Sequence, residues 1–453
     1  MTNTKAKNFG HFEKLLAKRA EEVDHAQFRE EFLALHPTDQ AAIFIRFDAG
    51  ERQSVYDILP PEEFSYIFEA LDEYQQNVIF DELPGDYGTL MLNEMFTDNV
   101  ATFLNEMDDD GAEKILLEMD PDEAAAAREV MGYAPETAGA VMTKEVVSIS
   151  ADDSVAEVLE QLRRVAPDAE TIYYLYVIDA ENRLAGVISL RDLITAQPEE
   201  LIKDIMSKNL VSVREDVDQE DVARMIGDYD FLAVPVVSKD GQLLGIVTVD
   251  DVIDILEEEA TEDLGELSAV KGATDINISP FRAAGKRAPW IVLLMFFGLI
   301  TAGVIGQFEE TLEEIVLLAI FIPLIMDSAG NTGTQSLGVA VRGLALGTIQ
   351  KKTIGKMLRR ELGTGVILGM ICMAVLGITI TLLYDQWLLA LVVGFSIFCT
   401  LSIATVIGAT VPLIINKIKL DPAIASGPFI TTINDILGLL IYFSIATSLL
   451  DFF

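Results

Sequence analysis

From Lys286-Arg287-Ala288-Pro289-Trp290 onward the chain becomes a succession of apolar runs, and nothing else in the sequence restricts its fold so strongly. Five runs, near residues 289–307, 315–341, 362–384, 387–415 and 423–450, are each long enough to cross a hydrocarbon core of roughly 30 Å, which takes about 20 helical residues. Lipid satisfies no backbone hydrogen bonds, so each run predicts a spanning helix. Loops on one side carry Arg282, Lys286, Arg287, Arg342, Lys351, Lys352, Lys356, Arg359, Arg360, Lys417 and Lys419. Loops on the other carry Glu309, Glu310, Glu313, Glu314, Asp385 and Asp451, with no Lys or Arg. That asymmetry places the basic side, and with it the N-terminus, in the cytoplasm of a multi-pass cell-membrane protein, and the C-terminus outside. The polar N-terminus argues against a secretory signal. Trp290 and Trp387 fall at span ends, as an aromatic belt requires.

The formal charge of −40 belongs elsewhere. Residues 1–270 hold 20 Lys and Arg against 61 Asp and Glu, whereas residues 271–453 hold 12 against 11. An acidic soluble body is therefore joined to a nearly neutral membrane domain. No basic excess is available for nucleic acid. The two cysteines, Cys372 and Cys399, lie in apolar runs and exclude a disulfide scaffold. All three histidines fall within the first 36 residues, which disfavours a His-rich zinc site.

Two polar insertions in the spans need a reason. Asp435 sits in Thr431-Thr432-Ile433-Asn434-Asp435-Ile436-Leu437-Gly438, with the mostly apolar residues 436–450 beyond it. It is either a protonated or paired carboxyl, or an acidic ligand on a cation path. Asn331, Thr431 and Asn434 are the accompanying pore-lining candidates. Asp327-Ser-Ala-Gly-Asn-Thr-Gly-Thr-Gln-Ser336 either packs closely on neighbouring spans or lines a cavity. Five spans make a thin pore, so a homodimer about an axis along the membrane normal is expected.

The soluble part contains two kinds of repeat. Leu35, Phe47, Leu59, Leu71, Leu83, Met95, Met107 and Met119 recur every 12 residues, most with apolar partners three and four positions earlier. That spacing marks one helical face. Helix breakers or caps follow most of them, including Asp48, Pro60, Asp72, Pro84, Asp108 and Asp120. Helices so short are stable only when stacked, which predicts an all-α superhelix with acidic residues outward. Further on, Met142-Thr-Lys-Glu-Val-Val-Ser148 returns as Met206-Ser-Lys-Asn-Leu-Val-Ser212, and Gly186-Val-Ile-Ser189-Leu-Arg-Asp192 as Gly245-Ile-Val-Thr248-Val-Asp-Asp251. Each copy has an amphipathic helix (154–165, 218–229), β-rich stretches (175–178, 233–237), a turn and a closing helix. The pair resembles tandem CBS domains. The resemblance implies that Tyr174, Arg191, Asp192, Phe231 and Pro235 line an adenine nucleotide site, with ATP a possible regulator; a scaffold without nucleotide is the alternative. Residues 250–270 then read as one amphipathic helix with a densely acidic face.

In that order, helical acidic repeat, CBS pair, acidic connector and five spans resemble the MgtE family of magnesium channels and transporters. The specific pieces are Gly330-Asn-Thr-Gly-Thr-Gln-Ser336, Asp421-Pro-Ala423 and Asn434-Asp-Ile-Leu-Gly-Leu-Leu-Ile-Tyr442. The implied architecture is a multidomain chain: an all-α superhelix over 1–135, an α/β CBS pair over 136–249, a connector helix over 250–275 and a five-helix α transmembrane domain over 276–453. The resemblance implies a homodimeric Mg2+ channel, not an enzyme, with Asp435 as the pore ligand and Mg2+ as both cargo and regulator. Cytoplasmic Mg2+ would bind at Asp98, Asp218, Asp230, Asp251, Asp254, Glu259, Glu262, Asp263 and Asp421 and close the pore through the connector. Tyr66 and Thr102 stand where related chains are expected to carry acids, so the interface of helical repeat and CBS pair is expected to hold fewer ions. A membrane-anchored nucleotide or ion sensor and a Mn2+ or Co2+ transporter are the competing readings, because hard oxygen ligands also admit those ions.

Overall fold

The computed structural model describes residues 10–12, 22–268, 279–345, 347–349, 352–418 and 427–449, apart from the side chains of 22–24, 168, 263, 266 and 267. The chain divides into two units, Met1–Leu256 and Glu257–Phe453.

In the first unit, helices begin at Pro37, Ala49, Pro61, Glu73, Tyr87, Thr97, Asp109 and Pro121. The period of 12 is thus physical, and its punctuation comes from the caps. Asp48 with Glu51 and Asp72 with Gln75 form capping boxes, Asp108 caps the Asp109–Glu118 helix, and Pro61 and Pro121 occupy first turns. One helix starts late. Pro84 and Gly85, the latter at φ +57°, make a turn where the repeat leads to expect a helix start, and the helix resumes as Tyr87–Leu92. The recurring positions Phe47, Leu59, Leu71, Met95 and Met119 are buried, and Leu35, Leu83 and Met107 pack on the same core.

Each CBS copy contributes a three-stranded sheet. In the first, β1 (Val146–Ser150) runs parallel to β2 (Thr171–Ile178), which pairs antiparallel with β3 (Leu184–Ser189). In the second, β4 (Val213–Arg214), β5 (Ala233–Val237) and β6 (Leu243–Thr248) repeat that order. The copies share an apolar seam that joins Tyr176, Tyr174 and Val187 to Ala233, Leu243 and Ile246. The connector is a helix over Val249–Leu267.

The second unit contains five helices long and apolar enough to cross a membrane: Pro280–Gln307, Leu317–Ala345, Ile354–Tyr384, Trp387–Lys417 and Gly427–Ser448, here called the first to fifth spans. Two start well before their apolar runs. The first begins at Pro280, capped by Ser279, and carries Arg282, Lys286 and Arg287 through Pro289; the third begins at Ile354 and carries Lys356, Arg359 and Arg360. Hydropathy locates the lipid-embedded part of a helix, but backbone hydrogen bonding continues past it into the interface. These basic residues are helical, not in loops. The fourth span is the most enclosed and packs on the second, third and fifth.

Candidate functional site

On the second span Asp327, Asn331 and Thr334 share one face, since positions four and seven apart return to the same side of a helix. All three are exposed in the single chain. Asn331 Nδ2 donates to Asp327 Oδ1 at 3.0 Å. The fifth span meets this face through Thr431, whose Oγ1 lies 3.4 Å from Thr334 Oγ1 and donates to the Gly427 carbonyl at 2.6 Å. Asp435 lies one turn further on, half-buried, with Oδ1 unpartnered and Asp327 as the charge acting on it. Gly330 makes this approach possible: a Cβ there would strike Thr431 Cγ2 and stand 3.4 Å from Asp435 Oδ1. The result is a strip of carboxylate, amide and hydroxyl oxygens along helices that are otherwise apolar, a suitable surface for a hard cation that keeps much of its water.

Asn434 does not join the strip. It is 1% exposed, directed at Gly333, and neither amide atom has a partner. Consecutive helical residues point about 100° apart, so Asn434 and Asp435 cannot share a narrow face. The expectation that Asn434 lines the pore is corrected to a packing position at the junction of three spans. There Gly408 of the fourth span lies against the carbonyl of Gly333, and a Cβ on either glycine would collide. The sequence reading also missed Glu361, buried in the third span and accepting from Ser336 Oγ at 2.9 Å. Its only signal was a lone acid after two arginines, which resembles a loop.

In the soluble unit, carboxylates from three sequence regions gather. Asp98, on the helix Thr97–Asn105, is 7% exposed, and its Oδ1 is buried without a partner. Burial, followed by the charges of Asp251, Glu170 and Glu145, holds its pKa well above the usual carboxylate range. Glu170 is pushed up to about 8 by burial and by Asp251, Asp250, Glu69 and Glu145. Burial lifts Glu69 to about 7 against hydrogen bonds from Asn99 and Phe96. Asp251 is raised by burial, although Thr248 donates to its Oδ2 from N at 3.0 Å and from Oγ1 at 2.6 Å. Glu145 spans the helical and CBS parts: it accepts from Thr97 Oγ1 and from Thr143 Oγ1, each at 2.5 Å. Among the described residues no three acids converge into a preformed metal cage. The acids face one another at a distance: burial raises their pKa values first, and for Asp98, Glu170 and Asp251 repulsion adds to it.

Asp98 and Asp251 therefore lie within reach of one another's charge, and Glu69, Glu145, Glu170 and Asp250 join them. Glu69 lies one turn from the exposed Tyr66 on the same helix, so an acid returns near the position where Tyr66 had suggested a loss. Asp218 and Asp230 cap the two ends of the helix Gln219–Tyr229, about 18 Å apart along its axis, and share no single ion. Asp254, Glu259 and Glu262 lie along the connector helix. Asp421 and the Asp263 side chain lie outside the described residues.

The raised acids carry a pH consequence. Glu69 and Glu170 hold protons more tightly folded than unfolded, so their contribution to stability is full below about pH 4.5 and is lost as pH rises through about 7 and 8. Without divalent ions, the melting temperature of the soluble unit should fall between pH 5.5 and 8.5. Glu170→Gln should flatten that slope, by roughly 2–4 °C for each 1 kcal/mol removed. An unchanged slope in the variant would contradict the assignment.

The expected nucleotide residues divide between the copies. Tyr174 pairs with Ser189 across β2 and β3, and Arg191 and Asp192 open the helix Leu190–Thr195 at that corner. In the second copy Phe231 stacks on Tyr229 with ring centroids 5.3 Å apart, and the buried Pro235 pairs with Ile246. The spacing of the recurring element has a local cause: Ser189 accepts from Asp192 N at 3.1 Å and donates to its Oδ2 at 2.6 Å, as Thr248 does to Asp251.

Comparison with known proteins agrees with this layout. A divalent cation transporter domain, MgtE, matches residues 322–445, the MgtE intracellular N domain matches 35–136, and CBS domains match 138–199 and 202–258. The chain is 46% identical over 433 residues to the magnesium transporter MgtE of Enterococcus faecalis (strain ATCC 700802 / V583), covering 94% of both. It is 44% identical over 326 residues to that of Bacillus subtilis (strain 168), 72% of both. Among solved structures it is similar to the soluble part of a magnesium transporter, at 43% identity and TM-score 0.54, over 56% of this chain and 99% of that one. It is also similar to the cytosolic domain of the Mg2+ channel MgtE in complex with ATP, at 39% identity and TM-score 0.50, over 53% and 98%.

Proposed function

This chain belongs to the MgtE family of divalent cation transporters, and we propose that it carries Mg2+ across the membrane along a path whose acidic ligand is Asp435. The observation that carries the reading is the strip Asp327–Asn331–Thr334 facing Thr431 and Asp435, polar and partly open in helices otherwise built for lipid. A second copy of the chain would bring a second strip to face it. Two Asp435 carboxylates then suit Mg2+, which holds its waters tightly and takes one or two acidic ligands in preference to a full protein cage. The same hard oxygens leave Mn2+ and Co2+ as competing cargo.

Regulation rests on the soluble carboxylates. The buried, unpartnered Asp98 Oδ1 beside Asp251 and Glu170 is a site where a divalent ion would relieve both desolvation and repulsion. Binding there would hold the helical and CBS parts together, and Asp251 lies on the connector helix, which precedes the first span in the sequence. Because Mg2+ would bind the closed arrangement better, rising cytoplasmic Mg2+ would shift the population towards closure. Asp218, Asp230, Asp254, Glu259, Glu262, Asp263 and Asp421 would add sites along the same charge. ATP at the CBS pair, with Tyr174, Arg191, Asp192, Phe231 and Pro235, is the proposed second effector. The N-terminus would be cytoplasmic and the assembly a homodimer. The test is current recording from reconstituted protein: a Mg2+ current that falls as Mg2+ rises on the soluble-unit side supports the reading. A bilayer that stays silent at all Mg2+ levels favours a sensor without transport.

A further inference from the structure

The polar residues of the second span point two ways. Thr332, Gln335 and Ser336 turn away from the Asp327–Asn331–Thr334 face and line a cavity of about 270 Å³ with Glu361, Thr364 and Thr405. A neighbouring cavity of about 340 Å³ is lined by Thr348, Thr353, Lys356 and Met357, and Val339 and Arg360 border both. Glu361, 4% exposed, anchors the wall between them: Ser336 Oγ donates to its Oε2 at 2.9 Å, and Arg360 donates to its Oε1 from Nε at 3.2 Å and from Nη2 at 2.9 Å. The guanidinium is thereby held at the cavities with other N–H groups to spare.

Lys356 lies one turn before Arg360 on the same helical face, so both side chains border the second cavity. The third span begins at Ile354, and its cap residue Thr353 supplies no side-chain cap, since its hydroxyl donates to the Thr348 carbonyl at 3.3 Å. The first amides of the span therefore add positive potential at the same place. Beside this polar site the surface is apolar and outward-facing: Val339 is 42% exposed, and on the face of Arg360 Ile367 is 56% and Ile371 55% exposed.

We propose that the paired cavities hold the phosphate headgroup of an anionic membrane phospholipid. Lys356, the Arg360 N–H groups that Glu361 does not take up, and a helix start supply the anion site. Its place at the end of a spanning helix puts it at headgroup depth, and the exposed Val339, Ile367 and Ile371 offer a track for acyl chains, which a free phosphate would not need. The combined space suits a ligand of headgroup size. The site is separate from the Asp435 strip, and its test reads binding, not flux, so it stands or falls independently of ion transport.

The test is native mass spectrometry of the full-length protein in detergent, titrated with dioleoylphosphatidylglycerol, dioleoylphosphatidylcholine or inorganic phosphate. The anionic lipid should bind about 10-fold or more tighter than phosphatidylcholine, and the double variant K356Q/R360Q should weaken it roughly 10- to 30-fold. Millimolar phosphate should not displace it. Equal affinity for the two lipids, unchanged binding by the double variant, or displacement by phosphate would each overturn the proposal. Because Arg360→Gln also unseats Glu361, Lys356→Gln alone provides a second check. It should weaken the anionic lipid about 5-fold at an unchanged melting temperature, and full retention of binding would count against the site.

Discussion

Replacing Asp435 with Ala should reduce Mg2+ flux into proteoliposomes by roughly 100-fold or more while leaving the protein folded. A carboxylate about 4 Å from a cation at an effective dielectric of about 20 contributes about 4 kcal/mol per unit charge, and Mg2+ carries two. Of the groups that remain, the Thr431 and Thr334 hydroxyls and the Asn331 amide hydrate a cation but do not offset that charge, and the Asp327 carboxylate, which accepts from Asn331, replaces only part of it. Asp435→Asn should be almost as inactive, because it retains the shape and removes only the charge. The fold should tolerate both changes. Asp435 is half-buried with an unpartnered Oδ1, so truncation leaves no orphaned partner and removes a desolvation cost. Flux within about twofold of the unmodified protein would remove Asp435 from the path.

The second large effect concerns the soluble carboxylates. With Mg2+ at about 100 times its dissociation constant, mass action stabilises the closed soluble unit by about 2.7 kcal/mol, an upward melting shift of about 5–10 °C for a unit of this size. The double variant D98N/D251N should lose most of that shift. Without Mg2+ it should melt no lower than the unmodified protein, because neutral amides neither repel nor pay the burial cost that raises both acids. The two signs together separate an ion site from a structural contact: a structural pair would lower the melting temperature in both conditions. A full Mg2+ shift in the variant would show that the regulatory ions bind elsewhere.

What could be read from the sequence was whatever local periodicity controls. The 12-residue repeat was legible because each cap sits beside the helix that it starts, as Asp48 does for Ala49–Ile58 and Asp72 for Glu73–Phe80. Its one irregularity, at Pro84-Gly85, was written in the same local code. The spans were legible because lipid imposes a length and an apolar composition on each. Their ends were not, since the Ile354 start depends on helix propagation into the interface and not on hydropathy.

The candidate site divides along the same line. Asp435 stood out because an acid in an apolar helix is conspicuous without any knowledge of its neighbours. By itself the sequence determined the element types, the domain order and the location of the charge, each a property of contiguous residues. Only the tertiary structure decided which acids meet. It turned Asn434 into the packing at Gly333 and Gly408, set Glu361 beneath Ser336, and brought Glu69, Asp98, Glu145, Glu170 and Asp251 within reach of one another's charge. Electrostatic and packing energies depend on distance through space, and residues 69 and 251 are separated by a chain length that no periodicity spans.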